Sequence, residues 1–349
     1  MTTRRGFLKC LAAVGATILP WYRWTELFNR SNHQAVQAST SISCSTKQTS
    51  GSVLLADHSY INRTAMDDIS VLTQANIAGR RAGTVGEEKA AAYLIEQMRG
   101  LGLEPLGDLM DNSNRNFTNS FTIYPVVEEF YNGRLTFRPG NPNELRTPSA
   151  NVIGGLIGTN PNESVILSAH YDHLGVFQGN LYPGANDNAS GVGCILDVMR
   201  RLIKESVKPK RNVVLAFWSA EEMGFVGSYS FVQKPTFLHN GIQSVFNVDT
   251  VGNGPLGEFA LWANSDNKAV RVIQSSAEEN NARALLTPNN GYNSDQVYFN
   301  LDHVPAVTLM ARDWLNKNHT PEDVPDFVNP KKIHIASDIL YSAVQKLVF

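Results

Sequence analysis

Short apolar runs alternate with helical patterns along most of this chain. Runs rich in valine, isoleucine, leucine and phenylalanine, each bounded by turn residues, predict strands that are buried on both faces. These runs are LTF (135–137), NVIGGLIG (151–158), SVILSAH (164–170), NVVLAFWSA (212–220), SVFNVDT (244–250) and PAVTLMA (305–311). Apolar residues at helical spacing predict helices within residues 87–105, 190–206 and 267–281. The alternation predicts an α/β fold in which a mixed, mostly parallel central sheet lies between layers of helices.

The composition allows one large hydrophobic core and gives no sign of a polyanionic partner. Of the 349 residues, 42% are hydrophobic and 18% are charged. A chain of this length buries one large core or two modest ones. Its formal net charge of −2 provides no basic excess to neutralise phosphates, so we expect neither a nucleic acid nor an anionic membrane surface as partner. The composition does not predict the oligomeric state.

The first residues have the pattern of an export signal. Arg4 and Arg5 precede an apolar stretch of moderate length, and the sequence TRRGFLK resembles a bacterial twin-arginine signal. We expect this signal to cover residues 1–38 and to direct the protein to the periplasm or the outside of the cell. An ordinary secretory signal remains an alternative, as does an uncleaved anchor that would hold the protein at a membrane.

The remaining chain divides into a linker and one domain. Residues 39–56 are rich in serine and threonine and lack apolar periodicity, which predicts a flexible linker. No internal repeat and no second linker follows in the sequence, so residues 57–349 are expected to form a single domain.

Side chains that bind metals or move protons follow several of the predicted strands. In an open α/β sheet, ligands bind at the edge formed by the carboxyl ends of the strands. The residues predicted at this edge are His170, Asp172, Glu221, Glu222, Asp249 and His319, and Asp187 lies in a loop before a helix. Ionised groups that converge in a buried place are costly unless they are paired or bind cations. The pattern therefore predicts a metal site.

Charge balance indicates two divalent cations. Two such cations are neutralised by one bridging hydroxide and by the carboxylates of three residues, Asp187, Glu222 and Asp249. The neutral imidazoles of His170 and His319 complete the ligand shells, and oxygen and nitrogen donors without thiolate favour zinc. Glu221 is left over in this count, so we expect it to take a proton from the attacking water as the general base.

These motifs together resemble peptidase family M28, a group of zinc aminopeptidases. The motifs that stand in the order and spacing of that family are HYDHLG, GANDNASG, SAEEMGFVGS, NVDTVG and HTPED. The segment GRRAGTVGEEKAAAYLIEQMRGLGLEP is similar to the family's leading helix, so the resemblance covers roughly residues 75–345. It implies a di-zinc exopeptidase that hydrolyses the amino-terminal peptide bond of peptide substrates.

The resemblance also implies a role for each site residue. The ligands would be His170 and Asp249 for one zinc, Glu222 and His319 for the other, and Asp187 as the bridge between them. Glu221 would be the general base, and Asp172 would orient His170. The resemblance further implies a cis peptide bond between Asp187 and Asn188.

Two neighbouring features receive less specific interpretations. Because the implied ligand set is already full, we expect His173 to have a structural role. The residues that form the walls of a substrate pocket are not predicted by a motif, and the aromatic candidates are Phe225, Tyr292, Tyr298 and Phe299.

Other functions remain open at this point. Glutaminyl cyclisation runs on nearly this scaffold with one zinc, and the cyclase branch has a tryptophan before the last histidine ligand, where this chain has Asn318. Family M20 also offers a His-x-Asp strand end and paired glutamates, but it would need a separate lid domain. A non-catalytic binding protein on this fold would be expected to have lost Glu221 or a ligand.

Overall fold

The computed structural model of the protein describes residues 57–206 and 208–349. The predicted export signal, residues 1–38, and the predicted linker, residues 39–56, lie outside the described residues, and both stay predictions. Within the described ranges, no helix combines the length and the apolar character that crossing a membrane requires.

The strands and helices of these ranges are numbered in chain order. The strands β1 to β13 are Glu104–Pro105, Thr118–Ile123, Val126–Tyr131, Arg134–Pro139, Thr147–Leu156, Asn160–His170, Gly175–Phe177, Asn180–Tyr182, Arg211–Trp218, Ile242–Val248, Glu258–Trp262, Arg283–Leu286 and Ala306–Ala311. The α-helices α1 to α8 are His58–Ile61, Ala65–Leu72, Val85–Gly100, Ser190–Lys204, Val226–Gln233, Lys268–Glu279, Gln296–Leu301 and Pro330–Val348. The three helices predicted from apolar spacing correspond to α3, α4 and α6.

Polar residues fix the starts of several helices. Thr64 and Asp67 form a reciprocal capping box at the start of α2. Asn267 accepts hydrogen bonds from backbone N–H groups in the first turn of α6, and Asn329 does the same for α8. Pro330 then occupies the first turn of α8, where its missing N–H group has no cost.

A nine-stranded mixed sheet forms the centre of the domain. The strand order is β1-β5-β9-β6-β10-β13-β11-β12, and β2 also pairs with β5. The four middle strands, β9, β6, β10 and β13, are parallel, whereas β5 and β11 join them in antiparallel pairing on either side. The predicted fold class, a mixed sheet with a parallel centre between helices, is confirmed.

Helices cover both faces of the parallel centre. Side chains on a strand alternate between the two faces. On β6, Val165 and Leu167 pack into the core that includes α2, α3, α4, α6 and α8. Ile166 faces the opposite side, where it belongs to a smaller core with Phe231 of α5 and Phe299 of α7. This double burial explains why the central strands have nearly continuous apolar sequences.

One predicted strand has a different setting. The run LTF lies in β4, which pairs only with β3 to form a hairpin apart from the main sheet. Leu135 and Phe137 are buried, while Thr136 between them is partly exposed. The prediction that both faces of this strand are buried was wrong, because its alternation of apolar and polar residues is that of a half-buried strand.

Candidate metal centre

The carboxyl ends of the parallel strands carry the site. His170 is the last residue of β6, Glu221 and Glu222 follow β9 after a short turn, and Asp249 follows β10 directly. Because these strands are neighbours and run in the same direction, their ends meet at one edge of the sheet. The sequence therefore predicted the location of these four residues correctly.

Asp187 lies at the centre of the site and reaches it from the turn before α4. Its Oδ1 is 3.3 Å from Nε2 of His170, and that nitrogen is 3.4 Å from Oδ1 of Asp249. Its Oδ2 is 3.2 Å from Nε2 of His319, and that nitrogen is 2.9 Å from Oε2 of Glu222. The two oxygens of one carboxylate therefore face two separate histidine–acid pairs.

Main-chain carbonyl groups orient the two imidazoles. Nδ1 of His319 lies 2.8 Å from the carbonyl oxygen of Leu135, and Nδ1 of His170 lies 3.3 Å from that of Asp172. A carbonyl oxygen only accepts hydrogen bonds, so Nδ1 carries the proton in the neutral form of each ring. The lone pair of Nε2 then points towards Asp187, as metal ligation requires.

The donor set fits divalent cations. Four of the five side chains are at most 9% exposed, and the fifth, His319, is 16% exposed. Oδ1 of Asp249 has no hydrogen-bond partner among residues 57–206 and 208–349, although it is buried. Donor atoms of His170, Glu221 and Asp249 lie within 4.8 Å of one another, as do those of His170, Asp187 and Glu222. Carboxylate oxygens and imidazole nitrogens at this spacing suit zinc.

Close contacts between opposite charges govern the ionisation of the ligand pairs. Burial alone would raise the pKa of Asp187, but its hydrogen bonds with His170 and His319 hold that pKa well below the usual value. Burial would likewise raise the pKa of Glu222, but the contact with His319 lowers it to about 2. The pKa of His319 rises to about 10, because the carboxylates of Glu222 and Asp187 outweigh the effect of burial.

Glu221 has the opposite ionisation behaviour. Burial raises its pKa well above the usual value, and the carboxylates of Asp249 and Glu222 add to this effect, although His170 opposes it. Its carboxylate makes no hydrogen bond with any residue of the described ranges. A carboxylate with a raised pKa and without a fixed partner is suited to accept and release a proton.

Asp172 contacts the neighbouring strand end as well as His170. Its Oδ1 accepts a hydrogen bond from the backbone N–H of Glu221 at 3.1 Å. The same oxygen lies 3.7 Å from Nδ1 of His170, which is beyond hydrogen-bond distance, so the carbonyl of Asp172 makes the shorter contact with that ring. The carboxylate of Asp172 thus binds the backbone N–H of Glu221, the proposed base. The main-chain carbonyl of Asp172 contacts the imidazole of His170.

Three residues that the sequence analysis missed hold Asp187 in place. The buried guanidinium of Arg80 donates to the carbonyl oxygens of Gly184 at 2.6 Å and of Asp187 at 3.2 Å. The carboxylate of Asp323 accepts a hydrogen bond from the N–H of Asp187 at 2.9 Å. The side-chain amide of Asn318 donates to Oδ2 of Asp187. Arg80 and Asp323 belong to quoted motifs, GRRAG and HTPED, but sequence alone does not show which loop they contact.

His173 is buried against a ligand. Its Nδ1 is 2.8 Å from Oε1 of Glu222, the oxygen of that carboxylate that does not face His319. The ring of His173 lies edge-on to that of His319, with 5.8 Å between the ring centres. This position fits the structural role expected for His173, which is to fix the orientation of Glu222.

A cleft opens above the centre and has aromatic walls. Phe225 and Tyr292 line it, as expected, together with Trp262, Met310 and Trp314, which were not predicted. The expectation that Tyr298 and Phe299 form walls was wrong. Tyr298 packs behind Phe225, and Phe299 is fully buried against Trp218 in the smaller core. Both lie on α7, a helix whose buried face the sequence pattern did not reveal.

The loop before α4 has the backbone feature that the resemblance implied. The peptide bond between Asp187 and Asn188 is cis. The side chain of Asn188 also ties this loop to β10, because its amide donates to the carbonyl of Val248 at 2.8 Å.

The fold and the site together define an α/β protein with a cluster of candidate metal-binding side chains at the carboxyl edge of its sheet. The sequence profile of peptidase family M28 matches residues 151–344, more than half of the chain. The chain belongs to this family.

Related sequences match this chain over only part of their length. Aminopeptidase YwaD of Bacillus subtilis is 29% identical over 193 residues, which are 53% of this chain and 41% of that protein. An aminopeptidase of Pseudomonas aeruginosa is 36% identical over 115 residues, which are 33% of this chain and 20% of that protein. This chain thus spans less than half the length of these relatives.

Solved structures share the fold at low sequence identity. A zinc aminopeptidase from Bacillus subtilis superposes with a TM-score of 0.65 and 20% identity, covering 81% of this chain and 94% of that one. A glutaminyl cyclase from Fimbriiglobus ruber superposes with a TM-score of 0.64 and 16% identity, covering 86% and 99%. The fold is therefore common to both activities, and the site must decide between them.

Proposed function

We propose that this protein is a zinc-dependent aminopeptidase that binds two zinc ions and hydrolyses the amino-terminal peptide bond of peptides. The observation that carries the proposal is the position of Asp187, whose two oxygens face separate histidine–acid pairs. His170 and Asp249 would bind one zinc, Glu222 and His319 would bind the other, and Asp187 would bridge them. The aminopeptidase names of the related sequences support the same activity.

In this proposal the zinc ions activate the substrate and the water, and Glu221 transfers the proton. Zinc, when bound, supplies the Lewis acid that polarises the scissile carbonyl and activates water. The carboxylate of Glu221 accepts the proton of the attacking water as the new carbon–oxygen bond forms. It then delivers this proton to the amine nitrogen as the carbon–nitrogen bond breaks, so that a free amino acid and a shortened peptide leave. Within the described ranges no residue donates a hydrogen bond to this carboxylate, which leaves it free for both steps.

The cleft supports a substrate with a free α-amine and an apolar first residue. Four carboxylates lie at the bottom of the cleft, namely Asp187, Glu221, Glu222 and Asp249, and a protonated amine is attracted to such a cluster. Trp262, Tyr292 and Met310 offer apolar surface for a side chain. We therefore propose leucyl and phenylalanyl peptides as substrates.

Glutaminyl cyclisation is the competing activity on this scaffold. A cyclase uses one zinc and keeps water from acting as nucleophile, whereas this site presents ligands for two ions. Asn318 stands before His319 and donates to Asp187, so the position held by tryptophan in the cyclase branch here supports the bridging carboxylate. These features favour hydrolysis.

Metal content and substrate tests measured on one sample decide between the two activities. The purified protein should contain about two zinc ions per chain, lose activity to a chelator and recover it with zinc. It should release leucine from leucyl substrates, and N-acetylation of the substrate should abolish turnover. Fewer than one tightly held metal at full activity would rule out the paired site. Formation of pyroglutamate from a glutaminyl peptide, without release of amino acids from any aminoacyl substrate, would establish the cyclase instead.

We also propose that the protein acts outside the cytoplasm on peptides that it meets there. The support is the twin-arginine pattern at Arg4 and Arg5. Replacement of both by lysine should retain the protein in the cytoplasm of a bacterial host with a twin-arginine pathway, as fractionation and immunoblotting would show. Continued export of the lysine variant would favour the ordinary secretory route.

A further inference from the structure

The hairpin of β3 and β4 contacts the loop that contains His319. The imidazole of His319 donates from Nδ1 to the carbonyl of Leu135, and the N–H of Leu135 donates back to the carbonyl of His319. Leu135 therefore faces the loop, and its neighbours Arg134 and Thr136 line the cleft above the metal centre. The hairpin thus brings a cation to the place where a substrate would lie.

The guanidinium of Arg134 is held in a fixed position. Its Nε donates to the carbonyl oxygen of Asn318 at 3.2 Å, and its Nη2 donates to Oδ1 of the same residue. The guanidinium carbon lies 5.9 Å from the ring centre of Tyr292 and 5.7 Å from that of Trp314. Two hydrogen bonds and two aromatic rings already restrict the Arg134 side chain. Binding of a ligand therefore costs less side-chain conformational entropy.

Arg134 has no acidic partner in the part of the chain that the structure describes. The salt bridges of residues 57–206 and 208–349 do not include it, and no hydrogen bond there uses its Nη1. Among the residues that line the cleft, Arg134 is the only lysine or arginine, while four carboxylates lie at the bottom. A planar cation with free N–H groups in a cleft matches a carboxylate of the ligand.

The distance from Arg134 to the metal centre limits where this carboxylate lies in the substrate. Asn318 links the two, because it accepts from Arg134 and donates to Oδ2 of Asp187. Two hydrogen bonds and one amide group span at most about 8 Å. One residue of extended chain covers roughly 3.5 Å and a charge-assisted hydrogen bond adds about 2.8 Å, a reach of about 6.3 Å that lies within this limit, whereas two residues would need about 9.8 Å. The carboxylate therefore belongs to the residue that directly follows the scissile bond.

We propose that Arg134 binds the free C-terminal carboxylate of dipeptides and makes them the preferred substrates of this enzyme. The inference rests on the proposed aminopeptidase function and adds a specificity for substrate length. In longer peptides the position of the carboxylate is taken by an uncharged peptide bond, which gains less from the guanidinium.

A pair of matched substrates tests the proposal on the wild-type enzyme. Leucyl-leucine and leucyl-leucinamide differ only in the C-terminal charge. A charge-assisted hydrogen bond from a fixed arginine should make kcat/KM about tenfold or more higher for the acid than for the amide. An equal or lower value for the acid overturns the proposal. If the enzyme hydrolyses neither peptide, the proposed function is wrong, and the proposed specificity with it.

Variants distinguish substrate binding from support of the metal centre. Arg134→Gln should raise KM for leucyl-leucine much more than for the amide, so that the acid-to-amide ratio falls to one or below, and Arg134→Lys should restore part of the ratio. Arg138→Gln is the matched control on the same strand, since Arg138 pairs with Glu129 and does not line the cleft; it should keep the wild-type ratio. If Arg134→Gln lowers kcat/KM for both peptides equally, Arg134 only positions Asn318 and the proposal is wrong.

Discussion

At the scale of single residues, two adjacent glutamates show how position assigns chemistry. Glu222 contacts His173 through one oxygen and His319 through the other, and its pKa falls to about 2. Glu221 lacks such contacts, and burial raises its pKa well above the usual value. Neighbouring carboxyl groups with opposite shifts in pKa divide into a permanent anion and a proton carrier.

The substitution Glu221→Gln tests this division. Glutamine keeps the shape of the side chain but does not accept a proton, so kcat should fall by about 10²–10⁴-fold. Zinc content and thermal unfolding should stay at the wild-type values, because Glu221 is not among the proposed ligands. Steady-state kinetics and metal analysis on one preparation check both points.

The neighbouring substitution Glu222→Gln is the matched control. It removes the negative charge next to His319 and should lower the zinc content as well as kcat. A Glu221→Gln enzyme with near-normal kcat, or one that loses zinc as the control does, would show that the base is assigned to the wrong glutamate.

Sequence predicted the site residues better than the residues that support them. His170 and Asp249 could be found because a strand end is recognisable from the apolar run before it, and parallel strands deliver their ends to one edge. Arg80 and Asn318 contact Asp187 from positions 107 and 131 residues away in the chain. Contacts over such separations depend on how loops pack, which no local pattern encodes.

At the scale of elements, the loop between β8 and α4 depends on one buried cation. Arg80 is fully buried, and its guanidinium donates to the carbonyls of Pro183, Gly184 and Asp187. Of these three carbonyls, that of Gly184 also accepts a hydrogen bond from the N–H of Ala189 at 3.2 Å. Arg80 therefore stabilises the loop conformation that directs the Asp187 carboxylate to both histidines.

Substitution of Arg80 by methionine should destabilise the protein strongly. Each buried carbonyl left without a donor costs about 1–3 kcal/mol, so loss of the donor to Pro183 and Asp187 should lower the free energy of unfolding by at least about 2 kcal/mol. Zinc affinity should fall as well, because Asp187 loses its fixed position. Denaturant unfolding with and without chelator, together with zinc titration, measures both effects.

The adjacent Arg81→Met variant provides the control. Arg81 forms a partly exposed ion pair with Glu128, a type of contact that contributes about 1 kcal/mol or less. The Arg81→Met variant should therefore retain its zinc affinity and most of its stability. Equal losses in the two variants would mean that the loop does not depend specifically on Arg80.

The hairpin of β3 and β4 marks the limit of prediction at this scale. A three-residue apolar run was enough to predict a strand, but the strand's partner and its place beside the cleft depend on the contacts of Leu135 and Arg134 with the loop around His319. The central strands were easier to predict from sequence, because a strand that is buried on both faces has a nearly continuous apolar sequence.

At the scale of the whole molecule, the metal centre joins segments that are distant in sequence. Its proposed ligands lie at the end of β6, after β9, after β10, in the turn before α4 and in the loop before α8. In the metal-free protein the carboxylates of Asp187 and Glu222 face imidazoles with a raised pKa, that of His170 and that of His319. Zinc and protons therefore compete for the same cluster, and the stability of the fold is linked to both.

This competition predicts a release of protons when zinc binds. In the metal-free protein the pKa of His319 is about 10, so this ring is protonated at pH 7.5, and the pKa of His170 is also raised well above its usual value. Zinc requires neutral imidazole, so binding should release at least one proton per chain, that of His319. Calorimetric titration in buffers with different ionisation enthalpies measures this number. His334→Gln, which changes an exposed histidine that pairs with Asp338 and does not line the cleft, should leave this number unchanged.

The same linkage fixes how stability depends on pH. The pKa of His319 is raised above its unfolded value of 6.5, so its contribution to stability is fully present below pH 6.5 and is lost as the pH rises towards about 10. The free energy of unfolding of the chelated protein should therefore decrease across this window. The zinc-loaded protein should not show this decrease, because its imidazoles are already neutral. Parallel decreases in the two forms, or release of no protons on zinc binding, would show that the histidines are neutral before the metal arrives.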